Sequence, residues 1–156
     1  MPLFLSTYTN KVDKKGRVSV PAQFRGELEK AGYNSFIAFP HPDLHCIEAW
    51  DKERMDRYAE GMDEFSPMSA EYASVSTLMT ASREVAFGLE GRIVVPEYLL
   101  DYLDPEGLVI FAGRGQTFQI WRPDRFAHYE LEVKSRAAQL TNVVRLAPRK
   151  PRPIDD

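Results

Sequence analysis

Val12-Asp13-Lys14-Lys15-Gly16-Arg17-Val18-Ser19-Val20-Pro21-Ala22-Gln23-Phe24-Arg25 reads, in chain order, as a turn, a strand and the start of a helix. Asp at the first and Gly at the fourth position of Asp13–Gly16 suit a type I turn, in which the carboxylate holds a backbone N–H and glycine accepts a positive φ. Such a turn closes a β-hairpin with two lysines at its tip. Alternation along the next strand sends Val18 and Val20 inward and leaves Arg17 and Ser19 outward. Pro21, with its fixed φ and missing N–H, is expected at the first helical position, and Phe24 and Leu28, four apart, give that helix a buried stripe. Across the segment Lys11, Lys14, Lys15, Arg17 and Arg25 face a single acid, Asp13.

The same grammar returns as Val85-Ala86-Phe87-Gly88-Leu89-Glu90-Gly91-Arg92-Ile93-Val94-Val95-Pro96, followed by Glu97 to Leu103. Gly16 matches Gly91, Arg17 matches Arg92, Val18 and Val20 match Ile93 and Val95, Pro21 matches Pro96, and Phe24 and Leu28 match Leu99 and Leu103. Each half then reaches a second strand-like run ending in Trp and a charged helix: Cys46 to Trp50 with Arg54 and Tyr58, then Thr117 to Trp121 with Arg125 and Tyr129. The chain is an internal repeat of hairpin, helix, hairpin, helix.

Asp13-x-x-x-Arg17, set in Lys-Gly-Arg and a Val-rich run ending in Pro, repeated and closed each time by Trp, resembles the MraZ family over almost the whole chain. The resemblance implies an α+β fold of duplicated AbrB-like swapped-hairpin units forming a small β-barrel core with flanking helices. It implies a bacterial transcriptional regulator of the division and cell-wall gene cluster, binding short G-rich direct repeats of double-stranded DNA at its own promoter as a ring-like homo-oligomer. It further implies no cofactor, no small-molecule substrate and nucleoid association. The expected DNA-binding residues are Arg17 on bases, Lys14 and Lys15 on phosphates, Asp13 and, in the second unit, Arg92. There the pattern departs: Gly88 stands for Asp13, and Leu89 and Glu90 stand for the lysines, which weakens the carry-over. A runner-up class is an AbrB-like antitoxin or protein-interaction module, which would need a longer C-terminal arm with apolar anchors.

Composition sets bounds. The 156 residues, 44% hydrophobic, suffice for one compact core or two half-domains sharing one. No run reaches membrane-span length and the start lacks the plan of a signal peptide, so a cytoplasmic location is expected. One cysteine, Cys46, excludes an internal disulfide. The net charge of −3 argues against nucleic acid when taken alone. Its distribution argues the other way, with cations at the first hairpin and in the tail (Arg145, Arg149, Lys150, Arg152) and acids gathered at Asp51, Glu53, Asp56, Glu60, Asp63, Glu64 and Glu71.

The expected layout is unit 1 over residues 5–58, a connecting helical segment 59–82, unit 2 over 83–129, a C-terminal helix 130–146 and a disordered tail 147–156. Leu5 to Val12 reads as the first strand, Gly32 as a helix C-cap, and Ser35–Phe39 and His45–Trp50 as paired strands. Asp51 and Ser69 are expected to cap helices, the second running from Ala70 to Thr80. Gly113-Arg114-Gly115 reads as a hairpin turn rather than a phosphate loop, since no helix or Lys-Ser/Thr follows. Phe126, Tyr129, Val133, Ala137, Leu140 and Val144 form an apolar stripe that needs a surface, either the chain's own core or a neighbouring subunit.

Charge alone favours reading Lys14, Lys15 and Arg17 as a solvated tip; the repeat and the resemblance reverse that preference. Asp13 either orients Arg17, holds the turn, or does both. His41, Asp43, His45, Cys46 and Glu48 are the one cluster available to metal or thiol chemistry, but Pro40 and Pro42 break the helix that the His spacing would need. Trp50 and Trp121 are expected to pack in the core, and Cys46 to be a small strand residue.

Overall fold

The computed structural model describes residues 1–103, 107–140 and 144–149. Its elements are β1 (Thr7–Lys11), β2 (Arg17–Ser19), α1 (Ala22–Lys30), β3 (Ser35–Pro40), β4 (Ile47–Trp50), α2 (Lys52–Met62), α3 (Ala70–Ala81), β5 (Arg83–Ala86), β6 (Arg92–Val94), α4 (Glu97–Leu100), β7 (Leu108–Gly113), β8 (Phe118–Trp121) and α5 (Pro123–Leu140). The fold is α+β, with an antiparallel six-stranded sheet in the order β1-β7-β8-β4-β3-β5 and a separate ribbon of β2 and β6. Met1–Phe126 form one compact unit, and the chain from Ala127 belongs to a second.

Exchanging the two halves of the repeat (β1 for β5, β2 for β6, β3 for β7, β4 for β8) turns the strand order into its own reverse. Two pairs of equivalent residues face each other across this relation: Val18 opposite Ile93 in the ribbon, and Glu48 opposite Gln119 in the sheet.

The expected hairpins at the Asp13–Gly16 and Gly88–Gly91 turns are thereby corrected, whereas β3 pairs with β4 and β7 with β8 as expected. The Asp13–Gly16 turn forms, yet its flanking strands part: β1 pairs with β7 and β2 pairs with β6. A three-residue strand gains little from a lone hairpin. Paired with its equivalent from the other half, it buries Val18 and Ile93 in a shared core. No closed barrel is found among the described residues. The six-stranded sheet ends at β1 and β5, and the backbone groups beyond the ribbon bond to the opposite turns instead, Val20 N–H to Gly91 O at 3.1 Å and Val95 N–H to Gly16 O at 2.8 Å.

One sheet face, carrying Phe36, Ala38, Ile47, Ala49, Phe111, Phe118 and Ile120, packs on Val18, Val20, Phe24, Leu28, Ile93, Val95, Leu99 and Leu103. At the centre Phe24, Phe4 and Phe36 surround Phe118 with ring centroids 4.9, 5.0 and 5.2 Å away. The other face carries Ile37, Phe39 and Trp50 against Met55 of α2 and Leu78 and Met79 of α3.

Local chemistry sets most element ends. Asp51 accepts from Arg54 N–H at 2.8 Å and Ser69 Oγ from Tyr72 N–H at 3.1 Å, capping α2 and α3. Gly32, at φ +90°, ends α1, with Tyr33 N–H returning to Leu28 O. Pro21 and Pro96 stand one residue before the first helical position, as N-caps. β1 starts at Thr7 rather than Leu5 because Ser6 takes φ +71°. α2 passes Tyr58 and Gly61 to end at Met62, whose side chain is buried.

Phe126 packs against Trp121 at 5.8 Å. Further along α5 the stripe is half-buried at Tyr129 and Val133 and exposed at Ala137, and Val144 beyond the helix is exposed. The Leu140 side chain, residues 141–143 and, of the expected tail, residues 150–156 lie outside the described residues; residues 147–149 have no regular secondary structure.

Candidate nucleic-acid interface

The exposed face of the β2–β6 ribbon is built from four alternating positions. Arg17 and Ser19 come from β2, Arg92 and Val94 from β6, in the register Arg17 opposite Val94 and Ser19 opposite Arg92. The intervening Val18 and Ile93 are buried beneath them. The period of two thus places the repeat-equivalent arginines on one surface, diagonally across the ribbon.

Asp13 serves both roles open to it. Its Oδ1 accepts from Lys15 N–H and Arg17 N–H, each at 2.9 Å, which holds the turn. Its Oδ2 accepts from Arg17 Nε at 2.7 Å, which aims the guanidinium while the Arg17 side chain stays 49% exposed. The Arg17 backbone N–H, foremost among these donors, holds the Asp13 carboxyl below the ordinary aspartate range, with the Arg17 side chain and the Lys15 N–H adding to it and desolvation opposing. Lys14 and Lys15 are exposed at the turn between Asp13 and Gly16.

The second turn is closed by the same backbone bond as the first. Gly88 N–H donates to Arg92 O at 2.7 Å where Asp13 N–H donates to Arg17 O at 3.0 Å, and Gly91 and Gly16 both take positive φ, +72° and +80°. It differs in its side chains and in its backbone at Glu90. Gly88 has no carboxylate for Arg92, and Glu90 adopts a left-handed φ of +59°. Arg25, grouped by sequence with the first turn, lies over the second. Its Nε donates to Val20 O at 3.0 Å, and a Cβ on Gly91 would fall 2.1 Å from its Cδ.

With that geometry in place, comparison with known proteins assigns the chain. A family model described as "MraZ protein, putative antitoxin-like" matches residues 3–76 and again 78–145. The chain belongs to the MraZ family. A relative from Pelagibacter ubique named "Transcriptional regulator MraZ" is 39% identical over 136 residues, 86% of this chain and 88% of that protein. One of the same name from Rickettsia typhi is 37% identical over 130 residues, covering 83% and 87% of the two chains. A third, from Rhodospirillum rubrum, is 37% identical over 126 residues, covering 79% and 81%.

The other candidates in this MraZ-family chain have structural partners. His41 Nδ1 accepts from the backbone N–H groups of Asp43 and Leu44, both at 3.0 Å, and His45 stacks on Tyr102 at 4.5 Å. Cys46 is buried just before β4, and desolvation pushes its thiol far above the ordinary range, against a nucleophilic role. Among the described residues no group of three or more His, Cys, Asp or Glu gathers as a metal would require, and no helix is long and apolar enough to cross a membrane. Trp121 is buried and donates to Gln119 Oε1 at 2.9 Å, whereas Trp50 is half-buried beneath the Arg54 guanidinium at 5.1 Å. Sequence reasoning missed Ser19 and Val94 as partners of the arginines. Alternation marked Ser19 as outward and the repeat puts Val94 at the equivalent position, but the cross-strand register was needed to seat them beside Arg92 and Arg17.

Proposed function

We propose that this chain is a sequence-specific, double-stranded-DNA-binding transcriptional regulator of the bacterial division and cell-wall gene cluster. It acts without a cofactor on short G-rich direct repeats at its own promoter, through two AbrB-like swapped-hairpin units. The observation that carries the reading is the ribbon: arginines from both halves share one exposed face, and Arg17 is pre-aimed by Asp13. A two-stranded ribbon fits the major groove, and an arginine there donates two hydrogen bonds to guanine O6 and N7. Lys14 and Lys15 beside it supply phosphate contacts. The names of the relatives support the regulatory role.

Titration of Arg17→Ala and Arg92→Ala on operator and scrambled duplexes tests the reading. Arg17→Ala loses specific binding, about 1–3 kcal/mol per guanine contact. Arg92→Ala loses less, because among the described residues no carboxylate holds Arg92 as Asp13 holds Arg17, and Glu90 beside it repels phosphate. Lys14→Ala and Lys15→Ala each flatten the slope of log affinity on log salt by about one. Wild-type affinity and slope in all four variants would remove the ribbon from DNA.

The same reading includes a ring-like homo-oligomer, in which many weak tips on an acidic body act together on repeated sites. A light-scattering mass that is a multiple of the 17.8 kDa chain is expected, and a concentration-independent monomer would refute it. The "antitoxin-like" wording of the family description favours one second reading, neutralisation of a protein partner. Copurification of a stoichiometric protein that Arg17→Ala does not release would support it.

A further inference from the structure

The two outward positions of the ribbon that are not arginine break its internal symmetry. Ser19 and Val94 are equivalent by repeat, yet one is a hydroxyl and the other a branched hydrocarbon left 61% exposed. Because the strands are antiparallel, each stands opposite the arginine of the other half, Val94 facing Arg17 and Ser19 facing Arg92. The turns add to the difference. Lys14 and Lys15 flank the Arg17–Val94 end, and Leu89 and Glu90 flank the Arg92–Ser19 end. On the β6 side lies an open groove of about 700 Å³ whose lining includes Phe87, Leu89, Val94 and Pro96 besides the two arginines. On the β2 side a smaller groove of about 210 Å³ is lined mainly by polar groups, Lys11, Asp13, Arg17, Ser19 and Arg92. A backbone with two-fold relatedness thus presents two chemically unlike ends.

We infer that the Arg17–Val94 pair reads a guanine adjoining a thymine, with the Val94 side chain resting on the thymine 5-methyl, so that the ribbon recognises an asymmetric site in one direction. This rests on the DNA-reading role proposed above. In the major groove thymine alone presents a methyl group, and an apolar side chain is its natural contact. Adenine would instead place an amino donor against a hydrocarbon, unpaired and desolvated. Facing residues of an antiparallel pair are about 5 Å apart, and base pairs stack about 3.4 Å apart, so Val94 meets the base pair next to the one that Arg17 contacts. Diagonal neighbours are about 7–8 Å apart, which puts Arg92 roughly two steps away. Ser19, able both to donate and to accept, shows no such preference at the Arg92 end.

The test uses duplexes selected by the wild-type chain from a randomised pool. In the selected site each thymine is replaced singly by deoxyuridine, which removes the methyl and nothing else. Wild type should lose about fourfold in affinity at one thymine adjoining the guanine that Arg17→Ala no longer distinguishes, the worth of one buried methyl. Val94→Ser, checked for folding by thermal melt, should bind the thymine and deoxyuridine forms alike. Ser19→Val should create a second methyl-sensitive position at the other end. Equal binding of both forms by wild type, or a methyl effect that survives in Val94→Ser, overturns the inference while leaving DNA binding intact. A pool that yields no duplex held above background overturns it together with the reading beneath it.

Discussion

Asp13 concentrates on one side chain what the rest of the first turn depends on. Three donors converge on its carboxylate, two backbone N–H groups and Arg17 Nε, and they hold its folded-state pKa below the ordinary value of 3.8. A depressed carboxyl stabilises the fold above its unfolded-state pKa, and that contribution is lost as pH falls from 3.8 through the folded value. The group is open to water, so the effect is modest. Urea melts at stepped pH should therefore show a shallower acid limb for Asp13→Asn than for wild type, with the curves converging at low pH. The amide keeps an acceptor for the turn but no charge for Arg17, so specific DNA affinity should fall more than stability does. Superimposable acid limbs would show that the convergence seen at Asp13 does not persist in solution. Asp at the first and Gly at the fourth turn position were legible because both act within four residues. That Arg92 lacks such support was legible too, from Gly88.

At the scale of elements the N-terminal segment is the informative one. Phe4 is buried in the core and bonded on both sides to Gly115, Phe4 N–H to Gly115 O at 2.6 Å and Gly115 N–H to Phe4 O at 3.1 Å. A Cβ on Gly113 would lie 2.5 Å from the backbone carbonyl of Phe4, an overlap with main chain that no rotamer relieves. Gly113→Ala should thus eject the segment and cost about as much as Phe4→Ala, roughly 3–5 kcal/mol. The double variant should cost less than the sum by about 0.5–3 kcal/mol, since both lose the same contacts. Denaturant midpoints decide it: Gly113→Ala within about 0.5 kcal/mol of wild type would mean that β7 yields locally. Sequence alone assigned this glycine to a turn. Gly115, at φ +85°, meets that description, whereas Gly113 is required by a crossing chain that no local pattern reveals.

Over the whole molecule, the two halves meet at a buried polar contact. Gln119 Nε2 donates to Glu48 Oε1 at 2.6 Å, while Gln119 Oε1 accepts from Trp121 Nε1. Gln119→Leu leaves a buried carboxylate without this donor and should destabilise by roughly 2–3 kcal/mol, against about 1 kcal/mol or less for Glu48→Gln, which keeps an acceptor opposite the amide. Equal midpoints for the two variants would show that another donor, His41 Nε2 at 4.0 Å or water, already serves Glu48. Before any contact is known, the periodicity of Val18, Val20, Ile93 and Val95, the helical spacing of Phe24 with Leu28 and Leu99 with Leu103, the caps at Asp51 and Ser69 and the repeat itself can all be read from the chain. Each depends on a residue and neighbours a few positions away, or on likeness between two segments. The folded chain alone settled that β2 pairs with β6 and β1 with β7, that Arg25 covers Gly91, and that Val94 stands beside Arg17. Strand edges offer the same N–H and C=O groups to every candidate partner. The choice among them is made by the burial of one core shared between the halves, which is a property of the whole fold.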